Sequence, residues 1–193
     1  MIEQILSDCQ ALMKGHFLLT SGKHSEFYIE KIKIINNPVY VEKLCIMLSE
    51  KLKEIDCDVV VGPAYGGIVL AYEVAKLLQK KFVFTQRKDD TMTIRSGFEI
   101  KHGQKAIIVE DIVTTGGSVN EVIATLTASG VKVQAVACIV DRSNGKVDFG
   151  YDFIPLHTMQ IETFEANNCL LCKSGVQLIK PGASDKKNTI TAT

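Results

Sequence analysis

Two adjacent carboxylates, Glu110 and Asp111, stand between an apolar run and a loop rich in hydroxyls and glycines. The run at 106–109 is too short for a helix and rich in branched residues, so it predicts a strand buried on both faces. Residues 114–118 supply two threonines, two glycines and a serine, and a helical repeat of apolar residues follows them. The sequence therefore predicts a strand, an acidic edge, a loop and a helix, in that order.

This order of elements suits a sugar phosphate. Gly116 and Gly117 let a ligand approach the backbone, and the first turn of a helix presents free N–H groups and a positive dipole end to a phosphate. Carboxylates just before that loop are placed to accept hydrogen bonds from sugar hydroxyls, so a pentose 5-phosphate fits both halves. The alternative is an ordinary turn with a solvated acidic pair. We favour the ligand site because α/β proteins bind ligands at the carboxyl ends of strands.

A second unit of the same kind lies earlier in the chain. Residues 58–62 predict a buried strand, residues 63–67 form a loop that contains Tyr65, Gly66 and Gly67, and a helical pattern follows. Strands and helices alternate from about residue 58 to 141, which predicts an α/β fold with a mostly parallel twisted sheet and helices on both faces.

Composition limits the possible functions. The 193 residues are 46% hydrophobic, and 22 basic residues balance 22 acidic ones, which argues against a nucleic-acid binder. No apolar run reaches membrane-spanning length, and the N-terminus lacks a signal pattern, so we expect a cytoplasmic protein without a membrane partner. Apolar spacing predicts a helix over residues 2–13 that Gly15 ends, and the polar residues after Pro181 are expected to fray.

The cysteines form no disulfide framework, so reduced thiols are expected. Cys169 and Cys172 make a lone C-x-x-C. A structural zinc site needs four ligands, and no second pair is visible in the sequence. The sequence therefore predicts that no metal is bound by the protein's own side chains.

The segment 109–118 resembles the motif with which type I phosphoribosyltransferases bind 5-phosphoribosyl 1-pyrophosphate (PRPP). It is not a Walker P-loop or a dinucleotide fingerprint, because the required lysine and glycine spacings are absent. The resemblance implies the type I phosphoribosyltransferase fold. It also implies a PRPP site made of Tyr65, Gly66, Gly67, Arg87, Lys88, Arg95, Glu110, Asp111, Ile112, Val113, Thr114, Thr115, Gly116, Gly117 and Ser118.

The N-terminal segment 17–28, Phe-x-Leu-x-Ser-Gly-Lys-x-Ser-x-x-Tyr, is similar to that of the orotate phosphoribosyltransferases. In that family it forms a hood over the base. The resemblance implies one domain over 1–193, with a hood at about 1–36 plus the C-terminal strands, and a core at about 38–142. The residues implied to bind orotate are Lys23, Phe27, Tyr28, Thr114 and Arg142. Ile29 would complete the wall that Phe27 and Tyr28 form.

The polar stretch 87–98 matches the start of the family's catalytic loop, although it is shorter. Cations over a leaving pyrophosphate would stabilise its growing charge. The residues implied in catalysis are Asp111, Glu110, Lys88 and Arg95, whereas Lys101 and His102 are weaker candidates. Two positions that are often lysine in relatives are Thr20 and Gly66 here, and the sequence does not identify their substitutes.

The implied reaction joins orotate and PRPP to give orotidine 5′-phosphate and pyrophosphate, a step of pyrimidine synthesis. Mg²⁺ would be held mainly through PRPP, since the chain offers no evident magnesium cage. Relatives are homodimers with shared active sites, and we expect the same here. Two alternatives stay open: a phosphoribosyltransferase for another nucleobase, and a regulator that binds PRPP without catalysis.

Overall fold

A computed structural model describes residues 2–19 and 21–181. The strands of these residues are β1 (Leu12–Leu18), β2 (His24–Ile29), β3 (Val59–Pro63), β4 (Lys81–Lys88), β5 (Thr91–Ile94), β6 (Lys105–Val113), β7 (Lys132–Asp141), β8 (Asp152–Thr158) and β9 (Thr163–Phe164). The helices are α1 (Ile2–Asp8), α2 (Lys31–Ile35), α3 (Pro38–Leu52), α4 (Gly66–Leu78), α5 (Gly117–Ala128) and α6 (Leu170–Lys173). Thr20 and the tail after Pro181, on which two expectations fell, lie outside the described residues.

The larger sheet has six strands in the order β5-β4-β3-β6-β7-β8. Its strands pair in parallel except β5, which runs antiparallel to β4 at one edge. The carboxyl ends of β3, β4, β6 and β7 therefore meet at one edge of the sheet, and the loops that follow them lie side by side. The mostly parallel sheet predicted from the sequence is confirmed.

Helices cover both faces of this sheet, as predicted. On one face, Leu48 of α3 and Leu70 of α4 pack in a buried cluster with Ile107 of β6. On the other face, Leu126 of α5 packs in a second cluster with Ile108 of the same strand. Successive side chains of β6 thus enter opposite cores, which is why its sequence is apolar without alternation.

A smaller antiparallel sheet has the strand order β1-β2-β9, and we call this sheet the hood. The prediction of a helix over 2–13 is wrong: α1 ends at Asp8, and Gln10 adopts a left-handed φ of 53° that turns the chain. Met13 then pairs with Tyr28 in the hood, and Gly15 lies inside β1. The apolar residues of 2–13 have a helical spacing, but only those of α1 form a helix, because the later ones pair with β2. No helix of the described residues is long and apolar enough to cross a membrane.

Candidate functional site

The loop between β6 and α5 encloses a small cavity of about 50 Å³. Gly116 precedes the first helical residue with φ +76°, a conformation that favours glycine. A Cβ at Gly116 would also lie 2.9 Å from atoms of Val147 and Phe149. The cavity is lined by Val119 and by residues predicted to bind PRPP, which are Glu110, Ile112, Val113, Thr114, Thr115, Gly116, Gly117 and Ser118. The helix N-terminus and three hydroxyl side chains thus meet at one place.

The two carboxylates at the end of β6 are buried and differ in their surroundings. Glu110 Oε1 accepts a hydrogen bond from the Asp111 N–H at 2.9 Å, and Asp111 Oδ1 accepts one from the Ile112 N–H at 2.6 Å. Asp111 Oδ2 lies 3.0 Å from the Lys31 ammonium. Burial, assisted by the charge of Asp111, raises the pKa of Glu110 to about 8. The acidic pair therefore holds one paired carboxylate and one carboxyl that is poised to ionise near neutral pH.

Lys31 was not singled out in the sequence. Burial lowers the pKa of Lys31, but the neighbouring Asp111 carboxylate outweighs that effect, so the net pKa lies above its ordinary value. Lys31 is the first residue of α2, two positions after the end of the hood strand β2. Its contact with Asp111 joins residues that lie far apart in the sequence. No local pattern indicates such a contact, which only the packing of hood on core creates.

The first two residues of α4, Gly66 and Gly67, allow the start of this helix to approach β6 closely. A Cβ on Gly66 would overlap Asp111 Oδ2, and a Cβ on Gly67 would lie 2.8 Å from the Val109 carbonyl oxygen. Gly66, found where relatives often have lysine, therefore gives room to the Asp111–Lys31 pair. Tyr65 beside it is 88% exposed and faces outward from the loop between β3 and α4.

A second, larger cavity of about 340 Å³ lies between the hood and the carboxyl end of β7. It is lined by Tyr28, Ile29, Lys31, Asp111, Thr114 and Arg142, with Leu18, Leu19, Ser21, Ile112, Thr115 and Pro181. The Arg142 Nε is buried and has no hydrogen-bond partner among the residues that the structure describes. Burial also lowers the pKa of Arg142. A half-buried guanidinium whose Nε donor is free favours an anionic ligand in this cavity.

Two residues that sequence analysis assigned to the base are placed elsewhere. Lys23 Nζ pairs with Glu165 Oε1 at 3.0 Å, and both side chains are exposed. Phe27 packs against the first core cluster, with Lys14 Nζ 5.9 Å from its ring centroid. Neither lines the hood cavity, whereas Tyr28, Thr114 and Arg142 do.

Arg87 and Lys88 lie at the end of β4 and line a third cavity of about 350 Å³, together with Tyr65 and Ser118. The Arg87 guanidinium donates two hydrogen bonds to Glu121, from Nη2 to Oε1 at 2.6 Å and from Nε to Oε2 at 3.0 Å. Both partners are exposed, so this ion pair is a weak constraint that a phosphate ligand can replace. The positive charges of Arg87 and Lys88 therefore lie next to the two glycine loops, one of which contributes Tyr65 to this cavity and the other Ser118.

Arg95 is not brought to the same place. Strands β4 and β5 form a hairpin whose turn, Asp89–Asp90, has left-handed φ angles of 50° and 59°. The chain then returns along β4, so that the Arg95 N–H bonds to the Phe84 carbonyl, well back from Lys88. The Arg95 side chain donates to Ser96 Oγ at 2.8 Å. Lys101 and His102 lie just before the amino end of β6, away from the carboxyl ends of the strands where the two glycine loops lie.

One further cluster concerns the C-x-x-C. The expectation that this pair lacks companions is wrong, because His16 and His24 of the hood face Cys169 and Cys172. The histidines and the cysteines of this cluster lie about 150 residues apart in the sequence. Spacing along the chain therefore does not reveal the cluster.

The comparisons with known proteins agree with this geometry. The family model described as "Phosphoribosyl transferase domain" matches residues 36–168, which include both glycine loops and the acidic pair. Together with the sheet order and the phosphate loop, this match defines the chain as a phosphoribosyltransferase.

Relatives narrow the class. An orotate phosphoribosyltransferase of Caldanaerobacter subterraneus subsp. tengcongensis is 48% identical over 93% of this chain and 95% of its own length. One from Caldicellulosiruptor bescii is 46% identical over 95% of this chain and 96% of its own length. The chain belongs to the orotate phosphoribosyltransferase family.

Solved structures share the fold at low identity. The orotate phosphoribosyltransferase of Aeropyrum pernix superimposes with a TM-score of 0.73 at 24% identity, over 91% of this chain and 98% of that one. An adenine phosphoribosyltransferase of Thermoanaerobacter pseudethanolicus gives a TM-score of 0.58 at 17% identity, over 69% of this chain and 88% of that one. The fold is thus shared by enzymes named for different bases.

Proposed function

We propose that this chain transfers the ribose 5-phosphate group of PRPP to orotate, giving orotidine 5′-phosphate and pyrophosphate in the synthesis of pyrimidines. The observation that supports this choice of base is the half-buried Arg142, whose Nε donor is buried and free in the hood cavity. Orotate has a carboxylate and imide oxygens that a guanidinium can bind through two parallel hydrogen bonds. Tyr28 supplies an aromatic wall beside it.

In this proposal the two glycine loops bind different parts of PRPP. The 5-phosphate occupies the Thr114–Ser118 loop at the start of α5, where N–H groups and hydroxyls converge. The ribose hydroxyls then reach Glu110 and Asp111, which lie just before that loop. The pyrophosphate points toward Tyr65, Gly66 and Gly67, with Arg87 and Lys88 of β4 close by.

The reaction breaks the bond between ribose C1 and the pyrophosphate oxygen, and forms a bond between C1 and a ring nitrogen of orotate. The electron pair of the broken bond leaves with pyrophosphate, where Arg87 and Lys88 neutralise it. Positive charge grows on the sugar ring, and the carboxylates of Glu110 and Asp111 stabilise it. The ring nitrogen that bonds to C1 gives up its proton, which passes to the leaving pyrophosphate or to water. The protein itself acts mainly by positioning and electrostatics.

Lys31 positions the acidic edge in this scheme. Its ammonium fixes Asp111 Oδ2 and also lines the hood cavity, so it lies where ribose and base meet. It is therefore a candidate for part of the charge that relatives supply from the positions of Thr20 and Gly66. Arg95 remains a prediction as a pyrophosphate ligand, and its position behind the hairpin does not support that role within one chain.

Mg²⁺ fits this site as a partner of the substrate. Among the described residues, the only cluster of three or more metal-ligating side chains is the His–Cys cluster of the hood. Glu110 and Asp111 already accept backbone hydrogen bonds, so they would contact a magnesium ion as one or two carboxylates while PRPP oxygens supply the rest. The ion would offset the charge of the pyrophosphate when bound.

We also propose a homodimer in the cytoplasm. Val39, Val69 and Tyr72 leave apolar surface exposed on one face of α3 and α4, and they line a shallow groove there. Such a patch is typical of a protein–protein contact. The free thiols of the chain agree with a reducing compartment.

Base selection is tested by offering orotate, uracil, adenine and hypoxanthine in parallel, each with PRPP and Mg²⁺, and measuring nucleotide product. Product from orotate alone supports the proposal. Product from another base in its place would keep the PRPP site and refute the role of Arg142. Binding of PRPP without any product would favour a regulator.

A further inference from the structure

The hood contains a cluster of four side chains with no part in the proposed reaction. His16 lies in β1 and His24 is the first residue of β2, whereas Cys169 precedes α6 and Cys172 lies within it. His16, His24 and Cys169 are buried, whereas Cys172 is exposed. Their ligand atoms, which are His16 Nε2, His24 Nδ1 and the two Sγ atoms, all lie within 4.8 Å of one another.

Four of the six distances between the ligand atoms approach those around a tetrahedral ion. Zinc with Zn–N bonds of about 2.0–2.1 Å and Zn–S bonds of about 2.3 Å places neighbouring ligand atoms about 3.3–3.8 Å apart. Cys169 Sγ and Cys172 Sγ lie 3.5 and 3.7 Å from His16 Nε2, and Cys172 Sγ lies 3.3 Å from His24 Nδ1. The two ring nitrogens are 2.9 Å apart, so they need to separate by a few tenths of an ångström.

The protonation of His16 also suits a metal ligand. Its Nδ1 lies 2.8 Å from the Val176 carbonyl oxygen, which can only accept a hydrogen bond. The Nδ1 therefore holds the ring proton, and the lone pair of Nε2 points into the cluster. Metal-bound histidines commonly make this second contact, because it fixes the tautomer and the ring orientation.

The C-terminal segment is attached to the hood by backbone hydrogen bonds and surface contacts but has almost no buried core of its own. Between residues 162 and 181, Cys169 is the only residue whose side chain is buried, and the segment has only a two-residue strand and short helical turns. Leu170, Val176 and Ile179 remain largely exposed. Hydrophobic burial stabilises such a segment poorly, so a cross-link at its one buried point would add substantially to the backbone bonds that hold it on the hood.

We propose that His16, His24, Cys169 and Cys172 bind a structural Zn²⁺ ion. Two thiolates and two imidazoles form a soft, four-ligand set of the kind that selects zinc. Since all four positions are filled by protein atoms, none is open for a substrate or water, so the ion is structural. The site is not recognisable from the sequence, because its two histidines are eight residues apart and both lie far from the cysteines.

The ion would also support the base cavity, an extension that rests on the proposed function. Ile179 makes two backbone hydrogen bonds to the end of β1. Its N–H donates to the His16 carbonyl at 2.8 Å, and its carbonyl accepts from the Leu18 N–H at 2.8 Å. Leu18 and Pro181 in turn line the hood cavity. A metal that fixes residues 169–176 against His16 would thereby fix one wall of the cavity.

The first test is the metal content of the purified full chain, measured by mass spectrometry of the metals after dialysis. We expect one Zn²⁺ per chain in the parent protein, and none in the double variant Cys169→Ser/Cys172→Ser. Cys9→Ser is the matched control, because Cys9 lies outside the cluster and its thiol donates to the Leu6 carbonyl. The control should retain the full metal content.

If the double variant fails to fold, Cys172→Ser removes an exposed ligand with less disturbance, and Co²⁺ added to metal-free parent protein gives a second measurement. Thiolate-to-cobalt charge-transfer absorption is expected in the parent and should weaken in Cys172→Ser. A parent chain that contains no zinc, binds no Co²⁺ and has a Cys169–Cys172 disulfide by mass would overturn the proposal.

The link to the cavity is tested separately. Removal of zinc should raise the KM for orotate at least roughly tenfold, as loss of supporting contacts around a site commonly does, while the KM for PRPP changes little. Metal content is independent of activity, so the zinc site can stand if the proposed reaction fails. An unchanged KM for orotate after metal removal would refute the coupling.

Discussion

The Lys31 ammonium lies 3.0 Å from Oδ2 of Asp111, a contact that joins the start of α2 to the carboxyl end of β6. Asp111 is buried at this point, and a Cβ on Gly66 would overlap the same oxygen. The contact therefore fixes the position of the carboxylate between the two glycine loops. It links the hood side of the molecule to the residues that we assign to the ribose.

Replacing Lys31 tests this link. Lys31→Met should lower kcat/KM for PRPP by roughly tenfold or more, because Asp111 loses its partner and the site loses a positive charge. Lys33→Met on the same helix is the matched control and should have little effect. Steady-state kinetics of both variants measure the difference, and equal losses in the two would show that Lys31 contributes only to general charge.

Asp111 itself is expected to matter for turnover far more than for folding. Asp111→Asn keeps the size of the side chain but removes the charge that stabilises the sugar cation, so kcat should fall roughly a hundredfold. Thermal unfolding should change little by comparison. Turnover equal to that of the parent would contradict the role, and the exposed Asp152→Asn serves as control.

Glu110 gives a pH dependence whose sign follows from its pKa of about 8. Below that pH the side chain is mainly neutral, and above it the anion is available to the sugar. The kcat/KM for PRPP, which reports groups of the free enzyme, should therefore rise with pH and level off above about 8. Glu110→Gln should be slower and lack this rise.

The same raised pKa affects stability with the opposite sign. The folded chain keeps the Glu110 proton up to about pH 8, whereas the unfolded chain releases it near the ordinary value of 4.5. The parent therefore loses stability relative to Glu110→Gln as pH rises between those two values. Urea unfolding midpoints of both proteins at several pH values measure this. A constant difference would show that Glu110 ionises normally in the folded chain.

Arg142 should govern the base and not PRPP. Arg142→Lys retains the charge but loses the planar pair of donors, so the KM for orotate should rise roughly tenfold or more while the KM for PRPP stays close to that of the parent. Equal increases in both constants would show that the variant disturbs the whole site. No increase in either would remove Arg142 from the base pocket.

The phosphate loop was predictable because its signal is local. Strand, acidic pair, glycines and helix follow one another within 106–118, and the structure keeps that order. Lys31 and the His–Cys cluster were not predictable, since packing of the hood brings distant segments together. The helix over 2–13 failed because strand pairing in β1 overrode local spacing, and the place of Arg95 depended on a tight turn at Asp89–Asp90.

The most direct test of the proposed reaction is the absorbance of orotate over time with the purified chain, PRPP and Mg²⁺. The account predicts loss of orotate that stops when either PRPP or Mg²⁺ is omitted, with orotidine 5′-phosphate and pyrophosphate formed in equal amounts. Unchanged orotate in the complete mixture, with PRPP shown to bind, would contradict the account.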